Sequence, residues 1–359
     1  MRTKKEQLGS LFYWEDRGCW CADITVGYND AGKRKRKRIY GKSRDEVLQQ
    51  KKLLEAAVVR NEYVEPTRMT TADFLNKWMA SITLRPTTIY SYQGMIDNHV
   101  IPNIGNIQLD KLTPLLLQSM FTTDLKQKLS ARSIQYLYAI LHKAFKQAVQ
   151  WQIISRSPID AIERPRSPKK EIHPLNQQQV EKLFEVAEGK NDYALYVTAI
   201  TTGMRQGELL ALNWRDVDIE HGTISVKWTL REINGKLSLG PVKSKASRRI
   251  INLPKKAVEA IQGQQGKSEL VFPDAKGGYI RKQNLGKRFK KLLTAAELPA
   301  TRFHDLRHTH ATLLLQQGVH PKIVQERLGH SSISITLDTY SHILPSMQQK
   351  AVEELDKLF

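Results

Sequence analysis

Residues 70–155 read as almost unbroken helix, and that block dictates how the rest of the chain can be organised. Two polar, proline-bearing stretches bound it, Glu65-Pro66-Thr67-Arg68 and Arg164-Pro165-Arg166-Ser167-Pro168-Lys169-Lys170. Proline lacks the backbone N–H that helices and sheets use, and it pushes the residue before it toward extended conformations. Both stretches therefore predict connectors. A chain of 359 residues divided there yields three units rather than one core. The expected fold class is multidomain. Residues 1–62 form a small three-stranded sheet with one helix, and 68–165 an all-α four-helix domain. Residues 173–359 form a mixed, mainly-α domain with a small antiparallel sheet.

Local signals support that division. Leu11–Trp14, Trp20–Val26 and Arg38–Tyr40 read as strands, Asn29-Asp30-Ala31-Gly32 as a turn, and Ser43 with Glu46 as the start of a helix running to about Arg60. In the helical block, Thr71 is expected to cap Ala72–Ser81 and Pro86 to open a helix to His99. Thr113-Pro114 opens another, and Ser130 or Ala131 starts a long helix reaching Ile154; Ile101–Gly105 reads as a loop. From Leu175 onward, helices are expected near 177–188, 192–202, 205–212, 255–264, 283–296, 304–317, 320–328 and 346–357. Strands are expected at 223–229 and 248–253, with Asn234-Gly235 turning a hairpin between about 228 and 239.

Charge narrows the partner. The formal net charge is +20, and residues 1–62, 63–170 and 171–359 contribute +6, +7 and +7 of it. An excess spread evenly over all three units suits one polyanion touched by each of them, and nucleic acid is the commonest. Its densest part is Lys33-Arg34-Lys35-Arg36-Lys37-Arg38, six adjacent cations on a hairpin that phosphates would neutralise. Lys169 and Lys170 in the second connector would suit a strand lying along DNA. The two cysteines, Cys19 and Cys21, cannot complete a tetrahedral zinc site and read as small strand residues of a reduced protein. No apolar run approaches 18 residues and no signal-peptide core follows the start, so no membrane is expected and the protein is expected in the cytoplasm.

Four short segments of the last unit carry chemistry: Thr202–Leu209, Lys243–Arg249, His304–His310, and Leu328–Ser332 followed by Tyr340. Phosphodiester cleavage concentrates negative charge on the non-bridging oxygens, and guanidiniums bind those oxygens with paired, permanently charged hydrogen bonds. Arg205 and Arg307 are the candidates. A tyrosine can form a reversible covalent bond to phosphorus, but a phenol with a pKa near 10 needs a base or a positive field. Tyr340 is the candidate nucleophile. Lys243 is the candidate acid for the leaving 5′ oxygen, because cations and burial lower a lysine's pKa. His304 stands three residues before Arg307 and fits a base or proton shuttle; His330 fits a donor to the phosphate. Taken singly, each signal has a plain structural use: a surface arginine after a turn, a solvated helix face, a glycine cap with a bystander histidine, a packed tyrosine.

In this order and context the four segments resemble the tyrosine recombinases, specifically the integrases of phages and conjugative elements. The resemblance implies that Arg205, Lys243, His304, Arg307, His330 and Tyr340 form the catalytic set. Lys243 is chosen over Lys245 because the spacing Lys-x-Lys-x-x-x-Arg is similar to the family's, where the first lysine acts. Glu208 looks like the acid that supports the first arginine. Residues 1–62 resemble an arm-site DNA-binding module, 68–165 a core-site binding domain and 173–359 a catalytic domain. The implied reaction cleaves and rejoins DNA through a 3′-phosphotyrosine and so integrates or excises a mobile element or prophage. It needs neither metal nor nucleotide cofactor, since the ester stores the bond energy. The implied partners are double-stranded DNA at core and arm sites, three further copies in a tetramer, and accessory bending or directionality factors, in the nucleoid of a bacterial host.

Three other readings remain open from the residues. His304 and His308 have the i, i+4 spacing of a zinc helix, which suggests a metal hydrolase. A regulator could keep the fold without cleaving, and a type IB topoisomerase shares the chemistry. The tail from Pro345 carries Met347, Ala351, Val352, Leu355 and Phe359 at helical spacing, a stripe that would pack on its own domain or dock on a neighbouring protomer.

Overall fold

The computed structural model describes residues 11–28, 32–60, 63–168, 173–242, 244–266, 268–340, 352–353 and 355–359. Its chain divides into two compact units, residues 1–168 and 169–359.

The first unit opens with an antiparallel sheet in the order β1 (Leu11–Trp14), β2 (Cys19–Tyr28), β3 (Arg34–Gly41), followed by helix α1 (Arg44–Val59). Ser43 caps α1 by accepting the Glu46 amide. The sheet is small, so side chains do much of its bracing. Arg38 pairs with Asp23 across the strands at 2.6 and 2.8 Å, and its guanidinium lies over the rings of Phe12 and Trp14. The six-cation run lies mainly along a paired strand rather than at a hairpin tip, because Arg34 already faces Tyr28 in the ladder. Strand alternation then puts Arg34, Arg36, Arg38 and Tyr40 on one face. Cys19 and Cys21 sit in β2, with Cys21 buried. Residues 29–31 of the expected turn fall outside the described residues.

The rest of this unit is helical: α2 (Thr71–Ser81), α3 (Pro86–His99), α4 (Ile101–Ile104), α5 (Pro114–Ser119) and α6 (Ala131–Gln150). They enclose Phe74, Trp78, Ile96, Leu117, Leu137, Leu141 and Phe145. Three local expectations change. The cap of α2 is Thr70, which forms a reciprocal box with Asp73; Thr71 is buried and donates its hydroxyl to the Ile107 carbonyl at 2.9 Å. Ile101–Ile104 is a helical turn, since a proline in a first turn has no N–H to leave unpaired. Helix α6 stops at Gln150, where Gln152 turns left-handed (φ 54°) and Trp151 packs edge-on against Phe74.

In the second unit come α7 (Gln177–Ala187), α8 (Tyr193–Thr202), α9 (Gln206–Leu209), β4 (Val217–Asp218), β5 (Thr223–Val226), β6 (Trp228–Ile233), β7 (Lys236–Pro241), β8 (Arg249–Asn252), α10 (Lys255–Gln262), α11 (Lys282–Ala295), α12 (Leu306–Gln316), α13 (Pro321–Leu328) and α14 (Ile333–Tyr340). Strands β4, β5 and β8 form one antiparallel sheet, and β6 and β7 form a hairpin. Asn234 and Gly235 turn that hairpin with φ of 48° and 71°, the conformation an Asn-Gly pair favours. Helix α8 is buried along nearly its whole length, so the core wraps around it. The expected helix at 205–212 keeps its α-helical form only over α9. Helix α14 has no counterpart among the expected elements. Of the expected 346–357 helix, 352–353 and 355–356 are helical, and residues 341–351 and 354 lie outside the described residues. Val352, Leu355 and Phe359 are exposed. No helix among the described residues is long and apolar enough to cross a membrane.

Candidate active site

Two helix ends build the site. Helix α8 ends at Gly203 and α13 at Gly329, both left-handed, with φ of 62° and 66°. The last carbonyls of a helix have no intrahelical donor, and they carry the negative end of its dipole. Here guanidiniums supply both the donors and the charge. Arg307 donates to the carbonyls of Gly203 at 2.8 Å and Leu328 at 2.7 Å. Arg205 donates to the carbonyl of Gly329 at 3.0 Å. The two arginines thus hold adjacent carbonyls, and one lies beside the other.

Glu208 fixes the first of them. It is only 3% exposed. One oxygen accepts the Arg205 guanidinium at 2.8 Å; the other accepts the Arg205 backbone amide and the Arg249 guanidinium, both at 3.0 Å. Burial alone would raise the Glu208 pKa, but Arg249 and Arg205 outweigh it and hold the carboxyl below its ordinary value. Arg249, at the start of β8, also donates to the carbonyls of Arg327 at 2.6 Å and Ser247 at 3.1 Å. It therefore ties the β8 strand to Glu208 on one side and to the end of α13 on the other. The spacing that singled out Lys243 already contained Arg249, but its role needed the fold.

His330 follows Gly329 directly. Its Nδ1 is 2.9 Å from the Thr336 hydroxyl, and burial with Arg307 and Arg205 pushes its pKa down to about 3. His304 stands in a 3-10 turn (Phe303–Asp305) that leads directly into α12, the helix that carries Arg307. Burial first, then Arg307, lowers its pKa. Tyr340 ends α14 and is 2% exposed, packed against Leu315, Val324 and Leu328. Its hydroxyl lies 2.7 Å from Nδ1 of His308. Burial raises the phenol's pKa, with Arg307 working against it. His308 is a contact that the sequence left without a role in strand cleavage; its adjacency to Arg307 was the available signal.

Behind the arginines, His310 is buried. Its Nδ1 is 2.8 Å from the Ile200 carbonyl, and its Nε2 accepts Arg327 at 3.2 Å. Arg327 in turn donates to the carbonyls of Thr201 and Asn252. A neutral imidazole with its proton on Nδ1 satisfies both of its contacts.

The structure thus gathers Arg205, Arg307, His330, Tyr340 and Glu208 around the ends of α8 and α13. Lys243, Lys169 and Lys170 lie outside the described residues, as does the side chain of Lys245. Lys33, Arg34, Lys35, Arg36, Lys37 and Arg38 belong to the other unit. The zinc arrangement does not form: the His304 and His308 rings meet at right angles with centroids 5.9 Å apart, and His308 is engaged by Tyr340. Among the described residues no three His, Cys, Asp or Glu side chains are grouped to hold a metal ion.

Residues 173–347 match the model of the phage integrase family, and residues 70–126 match that of the phage integrase N-terminal SAM-like domain. A XerC-like tyrosine recombinase of Caldanaerobacter subterraneus subsp. tengcongensis is 28% identical, the alignment covering 94% of this chain and 95% of the relative. The tyrosine recombinase XerC of Xanthomonas campestris pv. campestris is 30% identical over 67% of this chain and 72% of its own. Among solved structures, the Tn1549 transposon integrase in complex with a circular intermediate DNA superposes with a TM-score of 0.70 at 21% identity, covering 80% of this chain and 99% of that one. A lambda integrase tetramer bound to a Holliday junction gives 0.60 at 18% identity, over 93% and 96% of the two chains. With its helix ends, paired guanidiniums and buried terminal tyrosine in a fold shared with these enzymes, the chain belongs to the phage integrase family of tyrosine recombinases.

Proposed function

We propose that this chain is a site-specific DNA recombinase that integrates and excises a mobile element or prophage, with Tyr340 as its nucleophile. The observation that carries the residue assignment is the placing of Arg205 and Arg307 on the adjacent carbonyls of Gly329 and Leu328. Two guanidiniums held side by side, before any substrate arrives, are preorganised for the non-bridging oxygens of one phosphate. Tyr340 attacks the phosphorus and forms a 3′-phosphotyrosine. The P–O5′ bond breaks, and the departing oxygen takes a proton from Lys243. The freed 5′ hydroxyl of a partner strand then attacks the ester, so strands are exchanged without loss of bond energy to water. With Nδ1 on Thr336, His330 would meet the phosphate through Nε2. His304 would act beside Arg307 as a base or proton shuttle, and Glu208 keeps Arg205 in its orientation.

The DNA contacts divide in the same way. Residues 1–62 bind arm sites through Lys33–Arg38, 68–165 form a four-helix domain on the core site, and 173–359 form the catalytic domain, with Lys169 and Lys170 along the backbone between them. Four copies act together on two duplexes in the bacterial cell, helped by bending or directionality factors, with the tail docking within its protomer or on the next. The solved relatives on circular-intermediate and Holliday-junction DNA support these partners.

A nicked suicide duplex carrying the element's core site tests the reading. Wild type becomes covalently attached to DNA and Tyr340→Phe does not. Attachment that persists in Tyr340→Phe overturns the assignment.

A further inference from the structure

Beyond the six residues of the resemblance, one side chain touches the attacking atom. The Tyr340 hydroxyl and His308 Nδ1 are 2.7 Å apart, and the rings meet tilted with centroids at 5.7 Å. His304, the histidine whose place before Arg307 fits a base or proton shuttle, makes its ring contact with His308 instead.

We propose that His308 is the proton acceptor of the nucleophile: as the Tyr340 oxygen bonds to phosphorus, its proton passes to His308 Nδ1. The proposal rests on Tyr340 being the nucleophile. In the tautomer with a proton on Nε2, the Nδ1 lone pair accepts the phenol O–H, and the ring becomes imidazolium on receiving the proton. The P–O5′ electron pair leaves on the 5′ oxygen, which is protonated by the general acid. When a 5′ hydroxyl reseals the strand, the departing phenolate recovers its proton from His308. Each round therefore returns the histidine to neutral.

The surroundings also bear on where the proton rests. His308 faces His304, Asp305 and Arg307 on its own turn and helix, and Arg302 just ahead of them. Tyr340 meets it from α14, and His330 lies nearby after α13. Burial first, then His304, with Arg307 and Arg302 also adding positive charge, pushes the His308 pKa down to about 4, while burial pushes the phenol up. Both shifts disfavour passing the proton from the phenol to the ring. A bound phosphate would bring negative charge beside Arg307, relieve its repulsion of an imidazolium, and offer the phenol oxygen a bond that acidifies it.

Single-turnover cleavage of suicide duplexes by the full chain tests this, with oxygen or sulfur at the scissile 5′ position. A thiolate leaves without an acid, but the phenol must still lose its proton. His308→Asn, which can hold the hydroxyl but not take its proton, should cleave both substrates more slowly by about a hundredfold or more, the lower end of the range for lost general-base catalysis. Its rate should climb toward wild type between pH 7 and 9 as hydroxide replaces the base, while wild type stays nearly flat. His308→Gln serves if His308→Asn does not fold, and duplex binding with unchanged melting shows that the site is assembled. A rate within twofold of wild type, a wild-type pH profile, or rescue by sulfur overturns the proposal. Tyr340→Phe runs alongside: covalent attachment there defeats the nucleophile assignment itself, a result distinct from any His308 outcome.

Discussion

The Arg249 guanidinium, at the start of β8, donates to the Glu208 carboxylate of α9 at 3.0 Å across 41 residues of sequence, and both side chains are buried. Glu208 is thereby shared by two arginines, of which Arg205 keeps about a third of its side chain exposed while Arg249 is buried. The shared carboxylate offsets one buried and one half-buried cation and sets the direction of the latter.

Removing Arg249 should leave Glu208 with half its compensation. Breaking a buried, hydrogen-bonded ion pair costs about 3–5 kcal/mol. Arg249→Ala is expected to lower the unfolding free energy from urea titration by an amount of that order and to slow strand cleavage as well. Equilibrium urea unfolding followed by fluorescence checks the first part. A change within 1 kcal/mol, on the order of a surface substitution, would show that the pair is not what holds this corner together.

Arg205→Lys should keep DNA binding and lose cleavage. A lysine supplies one point charge where the guanidinium supplies a planar fork, and here one limb of the fork is committed to Glu208 and another to the Gly329 carbonyl. Loss of one preorganised donor to a transition-state oxyanion costs about 10²–10³ in rate. Covalent-complex formation on the suicide duplex, scored against gel-shift affinity, separates the two effects.

His310 makes acid destabilising. Its pKa is pushed down to about 3 by burial and by Arg327, against about 6.5 in an unfolded chain. Between those values the unfolded state holds a proton that the folded state refuses, so stability rises with pH across that window, by about 1.4 kcal/mol per pH unit for this one group. Urea unfolding between pH 4 and 6 should show the slope, shallower by about one proton in His310→Asn. Equal slopes in the two proteins would mean that His310 is charged in the fold.

Gly203→Ala should be costly for two separable reasons. A left-handed φ of 62° strains any side chain, and the added Cβ would come within 2.5 Å of His310 Cδ2 and 2.8 Å of Leu328 Cδ2. Gly277→Ala meets the strain alone, with φ of 82° and open space around it. Gly203→Ala is expected to exceed Gly277→Ala by at least about 1 kcal/mol in urea unfolding, the usual scale of overpacking. Equal costs would mean that the neighbours of Gly203 simply move aside.

On the basic strand, cations should differ by partner. Arg34 and Arg36 are exposed, whereas Arg38 is held by Asp23. Each phosphate contact contributes about 0.9 to the slope of log affinity against log salt. Arg34→Ser with Arg36→Ser should flatten that slope by about 2 for duplex carrying arm sites, and Arg38→Ser by less, in a salt titration of full-length binding. No change in the double variant would remove β3 from the DNA contact.

Much of this protein was legible in one dimension because its signals are local. Caps such as Ser43, prolines such as Pro86 and Pro114, and the Asn234-Gly235 turn act through their own backbone, so they can be read without knowing what packs on them. The four chemical segments were legible by residue type and order. Local competition hid other elements: Thr70 and Thr71 are both good caps, and only the Ile107 carbonyl decides which of them is buried. Helix α14 was missed because Ile333–Tyr340 is short and rich in β-branched residues, a composition that helix propensity disfavours and that packing of Thr336 and Tyr340 overrides. Partnership was decided by the tertiary structure alone. That Arg307 would hold the carbonyls of Gly203 and Leu328, that Arg249 would share Glu208, and that Tyr340 would meet His308 are contacts between residues 21 to 104 positions apart, and the chain reveals them only when burial forces each polar group to find a partner.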